Sequence, residues 1–239
     1  MGFIVKFQED QKDRWDIFFK YLEDIYQNGD FFVMPIENGG YCIAANPFHK
    51  AVYQKLLLLL GPQVYENLIM ISNKKKHLEK FAEFPDMAQK FAQEYWPGNL
   101  ILSLKPKKGP ITLKKNSFPQ DILDNFPIVQ LFLANHHFVN VAIFDWLEKM
   151  NHPPLLLGFY PITEPGLDVH DPQEMLQSFG AQMTKIAFDA GKVQEGPSST
   201  LEPLTTIRIT DKTTAEVIQI GIISADMLKI FFKQIEEAE

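Results

Sequence analysis

Apolar positions along the chain switch between two spacings, and the switches outline the elements. From Asp10 to Tyr26, the residues Trp15, Phe18, Phe19, Leu22 and Tyr26 recur at helical spacing, which predicts an amphipathic helix. Asn28-Gly29-Asp30 breaks it. Phe31–Met34 then reads as a short buried strand, closed by Pro35. Asn38-Gly39-Gly40 predicts a loop where the backbone bends sharply or meets a ligand closely. Tyr41–Ala45 reads as a second strand. Pro47–Leu60 reads as a helix, and the five leucines that end it are apolar all round, which predicts a buried end. A third strand, Asn67–Ser72, precedes Asn73-Lys74-Lys75-Lys76 and a helix from about His77. Another helical run, Met87 to Tyr95, stops at Trp96-Pro97-Gly98-Asn99. Proline cannot continue helix hydrogen bonding, and glycine permits a left-handed turn. Leu100–Lys105 then begins at once as an alternating strand.

Downstream, Lys105–Lys115 is basic and contains Pro and Gly, and Ile128–Leu133 reads as a strand. Phe138–Lys149 is helical until His152-Pro153-Pro154, and Leu155–Phe159 is strand-like. Pro161–Asp171 reads as a loop, Pro172–Phe179 as a helix, and Ile186–Phe188 as a strand entering Asp189-Ala190-Gly191. Gly196-Pro197-Ser198-Ser199 is the best flexible segment. Thr205–Thr210 and Glu216–Ile220 predict a hairpin, and Ala225–Glu239 a closing helix. Short strands alternating with helices predict an α/β fold, a mixed β-sheet with flanking helices. Neither an internal repeat nor a strong linker is evident, so residues 1–239 read as a single domain.

Composition narrows the class. The chain has 239 residues, 46% of them hydrophobic, with 20 Phe, which is ample for a core. A formal charge of -7 removes a global nucleic-acid footprint but leaves room for a local basic patch. The lone Cys42 excludes an intramolecular disulfide, and its apolar neighbours predict a buried, inert thiol. Met1 to Asp10 lacks the basic-then-apolar layout of a signal peptide. No apolar run approaches the ~18 residues of a membrane span. The expectation is a soluble, cytoplasmic protein with no membrane association.

Several segments, taken in order, resemble the YrdC/YciO-like family, which includes the threonylcarbamoyl-AMP synthases of tRNA modification. The family's strand ending P-T-[DE], followed by Y-x-L-G, is similar to Pro35-Ile36-Glu37 and Tyr41-Cys42-Ile43-Ala44. Its W-P-G-x corner matches Trp96-Pro97-Gly98-Asn99. An L-P-G loop leading into an acidic-Pro helix start resembles Pro165-Gly166 and Asp171-Pro172-Gln173-Glu174. The D-G-G turn resembles Asp189-Ala190-Gly191. The P-[ST]-T-V-[IV]-D-x-T strand resembles Pro203–Thr210, and V-x-R-x-G resembles Val217–Gly221. The resemblance covers about residues 28–224 and is closer to the YciO branch. It implies a YrdC-like twisted mixed sheet in one domain.

The resemblance also implies a reaction, the joining of L-threonine, bicarbonate and ATP into threonylcarbamoyl-adenylate. Such chemistry needs cations against a polyphosphate and polar groups in a concave site. The family's K-x-R pair falls at Leu60 and Pro62, and the arginine of its V-R-x-P-like strand at Phe132. Its S-T-S-x-N strand end falls near Leu157-Gly158-Phe159-Tyr160-Pro161. The threonine of P-T-[DE] is Ile36, and the arginine of V-x-R is Gln219. Each lost charge-assisted hydrogen bond is worth on the order of 1.5–3 kcal/mol. Lys55 is the nearest substitute cation. The expectation is a family member that does not run the parent reaction and assigns no catalytic residue. ATP and magnesium enter only if that activity survives.

Polar residues that remain near the implied cleft are Glu37, Asn38, Tyr41, Asn46, Thr205 and Arg208, and Ile36 sits among them as a candidate ligand contact. Glu37 either orients a ligand amine or bonds the Asn38-Gly39-Gly40 backbone. Tyr41 either floors the site or belongs to the core. Asn135-His136-His137 is assigned no metal, because adjacent strand side chains face opposite ways. Ser198-Ser199 lacks a nucleophile elbow. Asn38-Gly39-Gly40 lacks the Gly-Lys-Ser/Thr of a phosphate loop. Lys105, Lys107, Lys108, Lys114 and Lys115 form a basic cluster, and Lys74-Lys75-Lys76 a second run. Each reads either as a solvated face or as a contact for tRNA or double-stranded RNA, in line with the basic surface the resemblance implies. Three functions stay open: an RNA- or nucleotide-binding protein with little or no synthase activity, a synthase with a rearranged site, and a scaffold for a protein partner or apolar ligand.

Overall fold

The computed structural model describes residues 3–6, 12–36, 40–61, 64–65, 67–134, 138–159, 184–189, 204–211 and 214–238. Twelve strands are described: β1 (Phe3–Lys6), β2 (Phe31–Ile36), β3 (Gly40–Ala45), β4 (Leu68–Ser72), β5 (Leu100–Leu104), β6 (Thr112–Leu113), β7 (Asn116–Ser117), β8 (Val129–Leu133), β9 (Leu155–Phe159), β10 (Thr184–Asp189), β11 (Thr205–Ile209) and β12 (Ala215–Gln219). The described helices are α1 (Lys12–Asn28), α2 (Lys50–Leu60), α3 (Lys75–Leu78), α4 (Asp86–Tyr95), α5 (Gln120–Leu123), α6 (Phe138–Lys149) and α7 (Ala225–Ala238).

Ten strands form one mixed sheet in the order β1-β10-β2-β3-β9-β4-β8-β5-β11-β12, and β6 and β7 make a separate hairpin. The central strands are buried on both faces, so each reads as an apolar run. Alternation sorts their side chains. Leu68 and Met70 of β4, Leu100, Leu102 and Leu104 of β5, and Leu155, Leu157 and Phe159 of β9 enter one core with α2, α4 and α7. Ile69, Ile71, Ile101, Phe132 and Leu156 enter the other, with Phe18 and Leu22 of α1 and Phe144 and Leu147 of α6. The expected mixed α/β fold with helices on both faces is what the chain forms.

Three readings need correction, and one element, β1, carries no sequence signal. Pro35 does not close β2, which runs on to Ile36 paired with β3. The described pairing with β10 stops at Val33, so Pro35 lies where its missing N–H interrupts no described ladder on that edge. The leucine-rich end of α2 is not uniformly buried, because Leu58 is 87% exposed while Leu56 packs in the core. The start of the chain forms β1, parallel to β10 at the sheet edge. The helix expected from about His77 is a single turn, α3, after which residues 81–83 run beside 105–107. The readings over 160–183 and at Gly196–Ser199 lie outside the described residues. Among the described residues, no helix is long and apolar enough to cross a membrane.

Candidate functional site

The corner after α4 is built as its residues dictate. Gly98 takes a φ of 88° and Asn99 a φ of 48°, and both turn the chain sharply into β5. Gly98 N–H donates to Leu133 O at 2.8 Å, and Trp96 Nε1 donates to Leu100 O at 2.8 Å. Asn99 O accepts from Thr205 N–H at 3.1 Å, which sets β11 alongside β5.

The positions where the resemblance implies polar chemistry lie in packed core. Ile36 and Phe132 are each 1% exposed and share one apolar cluster with Met34, Cys42, Ile71 and Ile101. Leu157 and Phe159 fill the opposite core. Between them, Gly158 is closed in by Ile71. A Cβ at Gly158 would stand 2.4 Å from Ile71 Cδ1, so no serine or threonine fits there without repacking. Lys55 is committed within the fold. Its Nζ pairs with Asp30 at 2.6 Å and donates to Gly29 O at 2.7 Å.

Among the described residues, the remaining polar candidates do not converge on one cleft. Tyr41 is 0% exposed and belongs to the core, so it cannot floor an open site. Asn46 ties the end of α1 to the next turn, donating to Tyr26 O and accepting from Phe48 N–H. Thr205 is buried with its hydroxyl committed. Its Oγ1 accepts from Gly221 N–H and Ile223 N–H and donates to Ile223 O. Arg208 lies at the far end of β11, paired with Glu216 at 3.5 Å. Glu37, Asn38 and Asn135-His136-His137 lie outside the described residues, as does Pro62. Cys42 is fully buried, and burial pushes its thiol well above the ordinary range. Among the described residues, no group of His, Cys, Asp or Glu could hold a metal ion.

The two lysine runs come together. Glu83 N–H donates to Lys105 O and Lys107 N–H to Phe81 O, both at 2.9 Å, so the 105–108 segment lies against the chain that follows α3. Lys107 Nζ donates to Glu79 O at 2.7 Å, and Lys105 pairs with Glu83 at 3.5 Å. Lys114, in the β6–β7 turn, donates to His152 O at 2.8 Å. Lys74 pairs with Glu148. The Lys74 hydrogen bond, with the charges of Lys74, Lys114 and His77, holds the Glu148 carboxyl below the usual range against the opposing effect of burial. Burial first, then Lys115 and Lys114, pushes the His152 imidazole down. Burial first, then Lys76 and Lys74, does the same for His77. Lys76, Lys108 and Lys115 are exposed and have no partner among the described residues. The sequence placed these lysines in two runs; only strand pairing joins them into one edge.

One polar residue escapes sequence reasoning. Ser103, in the apolar run Leu100–Leu104, is 1% exposed and its hydroxyl has no partner among the described residues. A lone serine at an inward strand position is the only sequence signal of it.

This mixed sheet, layered by helices on both faces and turned at a Trp-Pro-Gly corner, defines a YrdC-like domain. The chain matches the sequence model of the Sua5/YciO/YrdC family, described as telomere recombination, over residues 24–212, and it belongs to that family. Its fold is similar to that of E. coli YciO, at 16% identity and a TM-score of 0.67, covering 93% of this chain and 96% of YciO. It is also similar to a double-alanine variant of P. abyssi Sua5, at 16% identity and a TM-score of 0.68, covering 92% of this chain. P. abyssi Sua5 complexed with L-threonine is similar at 16% identity and a TM-score of 0.67, covering 97% of this chain. The chain spans 57–60% of the length of those Sua5 structures. No curated protein matches the chain.

Proposed function

We propose that this chain is a YrdC-like domain that binds RNA along its lysine edge and does not make threonylcarbamoyl-adenylate. The observation that carries the reading is the joining of the Lys74–Lys76 and Lys105–Lys115 runs. Three of these lysines are ion-paired, with Glu148, Glu79 and Glu83. Lys107 and Lys114 hydrogen-bond carbonyl groups and form no ion pair among the described residues. With Lys76, Lys108 and Lys115 they supply a basic surface on an otherwise acidic chain, suited to a phosphate backbone. The apolar packing of Ile36, Phe132 and Leu157 supports the loss of the parent reaction, because those positions offer a triphosphate neither cations nor hydroxyls.

Gel retardation of tRNA and of double-stranded RNA tests the reading. Retardation at low ionic strength should weaken as salt rises. The triple variant Lys76→Glu, Lys108→Glu, Lys115→Glu should abolish it, with each lost phosphate contact lowering the salt slope by about 1. RNA that migrates freely even at low salt would sink the proposal. Purified protein given ATP, magnesium and L-threonine should release no pyrophosphate, and threonine-dependent release would revive a synthase with a rearranged site. A second reading, a scaffold for a protein partner, draws support from Ile218 and Ile220 at the β12 edge and Met227 and Ile230 on α7, all exposed.

A further inference from the structure

β5 and β11 run parallel, with Ser103 directly beside Arg208. The same row continues to Gln130 of β8 and Glu216 of β12, so four polar side chains cross one face of the sheet. Within it, two donors are buried and idle: Ser103 Oγ and Arg208 Nε have no partner among the described residues. The guanidinium instead reaches Glu216 through Nη1, at 3.5 Å. Ser103 and Arg208 both line a recess of about 190 Å³, with the two idle donor atoms themselves closed off from solvent. Lys105 and Thr210, the next residues beyond β5 and β11, rim it, and Pro127 and Ile128 form an apolar wall.

A water molecule could satisfy the hydroxyl, but Arg208 Nε is a charged donor best matched by an anionic oxygen, and the guanidinium holds Glu216 only through Nη1 at 3.5 Å. Hydrogen bonds from charged donors to anionic oxygens are about twice as strong as neutral ones. A tetrahedral oxyanion fits this donor set. Once a side-chain shift uncovers them, one oxygen would take Arg208 Nε and Ser103 Oγ, and another would face Lys105. The present counter-charges are loosely held: Glu216 and Glu83 both sit 3.5 Å from their cations, with side chains 61% and 52% exposed. An incoming anion displaces them at small cost.

We propose that the Ser103–Arg208–Lys105 recess is a binding site for a phosphoryl group. It lies at the C-terminal ends of β5 and β11, while Ile101 and Thr205 lie at their starts. It does not rest on the RNA reading, although Lys105 belongs to both. The group arrives either on a free phosphorylated small molecule or as a backbone phosphate of RNA.

Calorimetry of the full chain with inorganic phosphate, in low-salt buffer, tests the site. Saturable one-to-one binding is expected. Arg208→Gln should weaken it at least tenfold and Ser103→Ala several-fold. Glu216→Gln should tighten it, because it removes the competing carboxylate. Thermal melting guards against misfolding: Ser103→Ala deletes an unsatisfied hydroxyl, so its melting temperature should equal or exceed that of the wild type. No phosphate binding, or equal binding by wild type and Arg208→Gln, overturns the proposal, as does a marked loss of stability in Ser103→Ala. RNA retardation separates the sources. Competition by phosphate and loss in Arg208→Gln point to a backbone phosphate. Unchanged retardation, or none by any form, beside Arg208-dependent phosphate binding points to a free phosphorylated molecule.

Discussion

Replacing Thr205 by valine isolates one hydroxyl at nearly constant shape. That hydroxyl accepts Gly221 N–H at 3.1 Å and Ile223 N–H at 3.0 Å, and donates to Ile223 O at 3.2 Å. Thr205 is 0% exposed, so water cannot replace what valine removes. Two buried N–H groups lose their acceptor, each at about 1–3 kcal/mol. The added methyl occupies space the hydroxyl held and offsets little. The expected loss is therefore about 2–5 kcal/mol, a large share of the ~5–15 kcal/mol by which domains are stable. With a urea dependence of about 3 kcal/mol per molar, the midpoint should fall by roughly 0.7–1.7 M. Urea titration followed by tryptophan fluorescence reads this directly. Thr205→Ser is the control. It keeps the three bonds and gives up one methyl, about 1 kcal/mol. If valine and serine variants unfold within about 0.5 kcal/mol of each other, about the scatter of surface substitutions, the bracing role is refuted and the hydroxyl is free to serve a ligand.

Two further outcomes follow from the packing and the charges. Gly158→Ala should push Ile71 off its rotamer at about 0.5–1.5 kcal/mol, and Ile71→Val should relieve it by removing Cδ1, so the double variant loses less than the sum of the singles in urea titrations. His77 and His152 have folded pKa values below the ordinary 6.5, chiefly through burial and then through neighbouring lysines. The unfolded chain therefore binds more protons as pH falls. The stability these residues contribute is full above about pH 6.5 and declines below it. Melting temperature should drop between pH 7.5 and 5.5, before the carboxylates titrate, and a flat or rising profile contradicts the assignment.

Much of the architecture is local. β4, β5 and β9 are apolar runs bounded by turn formers, and each is buried on both faces, so periodicity and burial agree. α6 and the corner at Trp96–Asn99 are legible for the same reason: their start and stop signals lie within a few residues of the element. β1 is invisible because Phe3–Lys6 is a strand only beside β10, some 180 residues away. The β6–β7 hairpin is likewise hidden, with β6 at the end of the Lys105–Lys115 stretch and β7 just after it, where charge and turn residues mask two-residue strands. Leu58 shows the converse. An all-round leucine stripe implies burial, but a helix lying on a sheet buries only one side, and the other faces water.

The site divides in the same way. Residue types alone reveal that Ile36, Phe132 and Leu157 carry no charge or hydroxyl, because an apolar side chain is apolar wherever the chain puts it. Where the remaining polar groups stand is a property of the register. Thr205 and Arg208 are three residues apart in one strand, yet one hydroxyl is consumed by a turn and the other side chain meets Ser103, 105 residues earlier. The lysine runs are joined by the bonds between residues 81–83 and 105–107. Backbone hydrogen bonding between distant strands carries no side-chain signature. The chain therefore announces its elements and the apolar character of those positions, while the neighbours of each remaining polar group emerge only once the sheet has closed.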